Sequence, residues 1–156
     1  MRVSFTATER GFLTTTEGKE QIHIKNSVSN NLQDHSPTEL LMLAMGGCTS
    51  DDVLSMLGKM RQNVRTYRCV VDGEREESIP KVLKSANIHY IIEGEVEPEK
   101  ALRAINLSLS KYCSVSILAK RGGTRVTYSL TVNGKVIAER EKAPLEGSIS
   151  PEVSNP

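Results

Sequence analysis

The chain contains no tryptophan, two phenylalanines and four tyrosines. That is too few rings for the stacking platforms on which single-stranded nucleic acid lies. It also lacks an excess of either charge: 20 Lys and Arg against 19 Asp and Glu leave a net +1, so no broad basic surface for duplex phosphates is implied. Apolar residues never run on for the ~18 positions of a membrane helix, and the opening MRVSFTATER lacks the apolar core of a secretory signal. A cytoplasmic protein is the expectation. Structural disulfides are rare in that compartment, so Cys48, Cys69 and Cys113 are expected to be free, catalytic or metal-bound rather than a disulfide framework. Several signatures are missing as well. No CxxC, HxxxH or HExxH spacing supports zinc, and no GxSxG supports a serine hydrolase. MGGC and RGGT lack the lysine of a phosphate-binding loop.

What remains is an α+β pattern in a chain long enough for one core. Val3, Phe5 and Ala7 alternate with polar residues, Ile22 and Ile24 flank His23, and Gly11 and Gly18 suit the turns of a meander. The stretch SPTELLMLAMGGCTSDDVLSMLGKM, from Ser36 to Met60, reads as a helix about 37 Å long at 1.5 Å per residue. Ser36, Pro37 and Glu39 form its capping box. Gly46-Gly47 in its middle predicts a kink or break near Cys48, with Thr49-Ser50-Asp51-Asp52 capping a second segment. Tyr67, Cys69 and Val71 then match a face of Ala86, Ile88, Tyr90 and Ile92, a helix starts at Pro98, and Asn133-Gly134 closes a hairpin. A single domain over residues 1–142 is expected, followed by a flexible tail over 143–156.

Cys48 is the residue to explain. A free cysteine on an apolar helix is commonly a small buried hydrophobe, yet two glycines beside it open space for a substrate or for close helix packing. A helix break there would aim free N–H groups at the sulfur, which lowers a thiol pKa. Asp52, one turn on, opposes that activation unless a cation such as Arg10 is delivered from elsewhere. Glu39 is a candidate carboxylate that the cap already explains, and Cys69 reads as a core position.

SPTELLMLAMGGC, the following DDVLSML and KYCSV occur in that order, and together they resemble the OsmC/Ohr family of thiol-dependent peroxide reductases, most of all its less characterised redox-protein branch. The resemblance implies an intertwined homodimer with long central helices between curved antiparallel sheets and two sites at the subunit interface. Cys48 would be the peroxidatic thiol and Cys113 the resolving one. The implied substrate is an organic hydroperoxide, in an oxidative stress response. The implied reductant is a dithiol, often a lipoylated protein in relatives, and the implied chemistry needs no metal or organic cofactor. The family's activating arginine comes from the N-terminal meander, where Arg10 lies. Its glutamate, ten residues before the reactive cysteine, is Thr38 here, and Glu39 matches the next residue of the motif. That departure keeps open a second reading, a redox sensor or small-ligand-binding protein on the same scaffold.

Overall fold

The computed structural model describes residues 1–27 and 33–148. By its contacts the chain divides into two compact units, Met1–Leu41 and Met42–Pro156. The first is an antiparallel meander of β1 (Phe5–Thr8), β2 (Gly11–Thr14) and β3 (His23–Ile24). Phe5 packs edge-on against Phe12 at 5.3 Å between ring centres, which staples the outer pair. The unit also carries the first turn of α1 (Pro37–Lys59). There Ser36 N–H donates to Glu39 Oε2 at 2.7 Å and Glu39 N–H to Ser36 Oγ at 3.3 Å, the reciprocal capping box written in the sequence.

The second unit begins inside α1, which is unbroken through Gly46-Gly47. The expected kink is therefore absent, and Thr49 through Asp52 lie within the helix instead of capping a new one. Two interior glycines cost a helix roughly 2 kcal/mol against alanine, and packing offsets it. A methyl group on Gly46 would sit 3.0 Å from Val71 Cγ2 and 3.7 Å from Cys69 Sγ, so the bare backbone is what lets α1 lie on the neighbouring strand. The buried stripe is Met45, Thr49, Val53 and Leu57, one residue every fourth position, with Gly46 beside it. Leu43 and Leu54 face solvent, at 55% and 39% exposure, so the apolar residues of α1 outnumber those its own chain covers. Among the described residues α1 is also the one helix long and apolar enough to cross a membrane by length and composition, a property that core helices share. Gly, Thr and Ser interrupt its apolar residues, so a search for continuous runs passes over it.

Beneath α1 lies a four-stranded sheet in the order β4 (Asn63–Arg75), β5 (Leu83–Glu95), β6 (Arg125–Val132), β7 (Lys135–Lys142). The register sets Tyr67 opposite Ile92, Cys69 opposite Tyr90 and Val71 opposite Ile88, which is the matched face expected from alternation. β5 and β6 pair in parallel, a geometry that requires a crossover. That crossover is α2 (Pro98–Leu107), a π-helical turn over Ser108–Tyr112, and α3 (Ser114–Arg121). Ala101, Ala104, Ile105 and Leu109 face inward from it, joining Ile88, Tyr90, Ile92 and Leu130 in the core. Asn133 and Gly134 both take positive φ, 48° and 77°, as the tight turn between β6 and β7 demands. Residues 143–148 are held against the crossover: Lys120 Nζ donates to Pro144 O at 2.8 Å, Arg121 pairs with Glu146 and Gly147 N–H reaches Ser110 O. The rest of the expected tail, 149–156, lies outside the described residues.

Candidate active site

Two segments of the second unit meet at a pair of thiols. Cys48 projects from the middle of α1, half-buried, and Cys113 is the fully buried N-cap of α3. Asp52 lies one helical turn after Cys48 and so on the same face. The two sulfurs and an Asp52 carboxylate oxygen all lie within 4.8 Å of one another. All three cysteines are free thiols.

The π-helical turn aims the second thiol. Its extra residue lets Cys113 N–H close onto Ser108 O at 2.8 Å, and such turns occur often at functional sites. Cys113 then leaves the helical region, at φ −70° and ψ 93°, to cap α3. Its Sγ accepts Ser116 N–H at 3.4 Å and lies 3.0 Å from Ser116 Oγ. Burial, with a smaller contribution from Cys48 beside it, pushes the Cys113 thiol up to about 11 against the downward pull of the Ser116 hydroxyl and N–H. Near neutral pH Cys113 is therefore protonated.

Asp52 is fixed by a line of hydroxyls running into the core. Ser108 Oγ donates to Asp52 Oδ2 at 2.8 Å, Thr49 Oγ1 lies 2.9 Å from Ser108 Oγ, and Tyr90 Oη lies 2.7 Å from Thr49 Oγ1. Each hydroxyl has one proton. With Ser108 donating to the carboxylate, Thr49 must donate to Ser108 and Tyr90 to Thr49. The whole line is thus polarised toward Asp52. Burial raises the Asp52 pKa above the ordinary carboxylate value, the Ser108 bond pulls it back and neighbouring Asp51 raises it. Tyr90 is driven well above its ordinary value, chiefly by burial.

Cys69, expected in the core, is half-buried on β4, where burial raises its thiol and Ser50 lowers it. Ser50 also receives the Tyr67 hydroxyl at 2.9 Å. As a metal site the thiol–carboxylate trio is one donor short of a closed tetrahedral zinc site. Asp52 Oδ2 and Cys113 Sγ are moreover already engaged by Ser108 and Ser116.

Of the residues singled out from sequence, the structure brings Cys48 and Cys113 together. Arg10 and Glu39 belong to the N-terminal unit and are engaged there. Arg10 pairs with Asp34 at 3.2 Å, and hydrogen bonds from Ser36 hold Glu39 below the usual carboxylate range. Ser108 and Ser116 were not singled out from sequence, and Thr49 and Tyr90 were read only as a helix cap and a strand-face residue. One signal was available: Thr49 and Ser108 are polar residues on core-facing helical positions, and buried hydroxyls need partners.

An α+β unit that seats an open and a closed thiol side by side on a polarised carboxylate defines the class. The chain belongs to the OsmC-like protein family, whose model matches residues 29–129. Protein YhfA of Escherichia coli K12 is 36% identical over 98 residues, 62% of this chain and 72% of YhfA. A crystal structure of a protein from Aquifex aeolicus VF5 superimposes with a TM-score of 0.70 at 29% identity, covering 85% of this chain and 96% of that one. The organic hydroperoxide resistance protein OsmC of Legionella pneumophila shares the fold, with a TM-score of 0.63 at 16% identity over 85% of this chain and 98% of its own.

Proposed function

We propose that this protein is a thiol-dependent hydroperoxide reductase acting through Cys48 and Cys113. The observation that carries the reading is the asymmetry of the pair: one half-buried thiol and one closed off, with their sulfurs within 4.8 Å. The accessible sulfur attacks and the enclosed one resolves. Cys48 thiolate attacks one peroxide oxygen, the O–O bond breaks, and the alcohol leaves once it has taken a proton. The resulting sulfenic acid condenses with Cys113 to a disulfide and water, and an external dithiol reopens it by exchange. The name of the Legionella relative supports peroxide as the oxidant class. The exposed Leu43 and Leu54 of α1 support a homodimer in which a second copy covers them, since apolar patches of this kind mark interfaces. A lipoylated protein fits the dithiol reductant.

Peroxide consumption by the reduced protein with a dithiol tests this reading, with cumene hydroperoxide and hydrogen peroxide compared. Multiple turnovers that vanish in Cys48→Ser are expected, with the organic substrate faster. Thiol loss that stops at one equivalent in the wild type and is unchanged in Cys48→Ser refutes it. Elution at the monomer mass would remove the dimer.

A further inference from the structure

We infer that Asp52 is the proton acceptor that arms Cys113 for disulfide closure, held for that task by the Ser108–Thr49–Tyr90 hydroxyl line. The inference rests on Cys48 and Cys113 joining as a disulfide, as in the function proposed above, and adds a residue to that chemistry.

Cys113 is fully buried and keeps its proton near neutral pH, so it attacks as a thiolate only if a base takes that proton. Ser116, which holds the thiol in place, is a hydroxyl and no base. Among the described residues Lys120 and Tyr90 also act on Cys113; the Lys120 ammonium donates to the Leu109 and Pro144 carbonyls, the Tyr90 hydroxyl bonds Thr49, and the Met45 carbonyl, 4.0 Å from Cys113 Sγ, is no base. Asp51 acts on Asp52 from the same helix, and Cys48 is the other partner in the reaction. Among the described residues this leaves the Asp52 carboxylate, with an oxygen within 4.8 Å of the Cys113 sulfur, near enough to act through one water.

The hydroxyl line explains why this carboxylate is ready. Ser108 takes one lone pair of Oδ2, which leaves the carboxylate further acceptor sites for a proton. Because every proton in the line points toward Asp52, none of its hydroxyls competes with Asp52 to accept. The Ser108 bond orients the carboxylate, and burial, which raises its pKa, makes it a better base than a surface aspartate.

The step balances. Cys113 S–H gives its proton to the Asp52 carboxylate as the sulfur attacks the Cys48 sulfenic sulfur. The S–O bond breaks, and the departing hydroxide takes the proton back from Asp52 to become water. The two sulfurs form one disulfide with no net proton change.

The test uses an aromatic disulfide, 5,5′-dithiobis(2-nitrobenzoate), in place of peroxide, on full-length protein carrying Cys69→Ser. The first thionitrobenzoate release reports attack by Cys48. A second release, independent of reagent concentration, reports attack by Cys113 on the mixed disulfide. Asp52→Asn is expected to quicken the first release, since a negative charge beside Cys48 is lost, and to slow the second about a hundredfold at pH 7. The deficit should close as pH rises toward 11, where Cys113 ionises unaided. A second release as fast as wild type across that range overturns the inference. If Asp52→Asn does not fold, Ser108→Ala reads the same step, with about tenfold slowing expected and an unaltered rate overturning it. The assay contains no peroxide, so failure of the peroxidase reading would leave the result for Asp52 standing.

Discussion

Thr49→Val is the sharpest probe of the buried hydroxyl line. The substitution nearly preserves shape but removes the oxygen that accepts the Tyr90 proton and the proton that Ser108 accepts. Tyr90 is fully buried, so its hydroxyl is left without an acceptor and without water. An orphaned buried donor costs about 1–3 kcal/mol. With the lost Ser108 bond included, about 3 kcal/mol is expected for Thr49→Val. Tyr90→Phe removes only the far end of the line. Thr49 still donates to Ser108, and the loss is one bond worth about 1 kcal/mol. The double variant has no orphan, so it should cost less than the sum of the two by about 1 kcal/mol or more, a coupling that neighbours in one network show. Urea unfolding of the reduced protein, with the four chains compared as a cycle, gives the result. If Thr49→Val costs no more than Tyr90→Phe, or if the two losses add, the directional account of the line is wrong.

Two further outcomes follow from the same geometry. Cys113 holds its proton in the native state up to about pH 11, whereas an unfolded thiol releases it at about 8.5. The native state therefore binds more protons in that window, and stability falls by roughly 1.4 kcal/mol per pH unit there while staying level below it. Cys113→Ser should remove that slope in urea midpoints taken between pH 8 and 10, and an unchanged slope would count against the buried-thiol assignment. A methyl group added to Gly47 would meet nothing within 4 Å, while one on Gly46 would meet Val71 at 3.0 Å. Gly47→Ala should thus gain up to about 1 kcal/mol of helix stability, and Gly46→Ala should forfeit most of it. Equal gains at both positions would rule out close packing as the role of Gly46.

Periodicity carried much of the fold. The match of Tyr67, Cys69 and Val71 to Ile92, Tyr90 and Ile88 appears in the sequence because alternation is a local property, and so are the Ser36–Glu39 box and the Asn133-Gly134 turn. Local rules misled at Gly46-Gly47, where propensity favours a break and a tertiary contact with Val71 and Cys69 keeps the helix whole. The π-helical turn and α3 were not legible, since one extra residue in a turn leaves almost no trace in an apolar pattern only eight residues long. The thiols were visible through their flanking motifs. The hydroxyls behind Asp52 were not, because Tyr90, Thr49 and Ser108 come from three elements and no spacing links them.

The parallel seam between β5 and β6 also constrains the order in which the chain can be assembled. The β4–β5 and β6–β7 hairpins close over short connections, whereas the seam closes over about 30 residues, at an entropic cost about 1 kcal/mol greater than a loop of about 7. A growing chain therefore carries Cys48 and Cys69 on early-formed elements well before the crossover delivers Cys113. Pulsed alkylation during refolding should find Cys69 shielded ahead of Cys113, and the reverse order would place the seam early. Until the seam closes, Cys48 has no second thiol beside it, and under the proposed function a sulfenic acid formed there would have nothing to close onto.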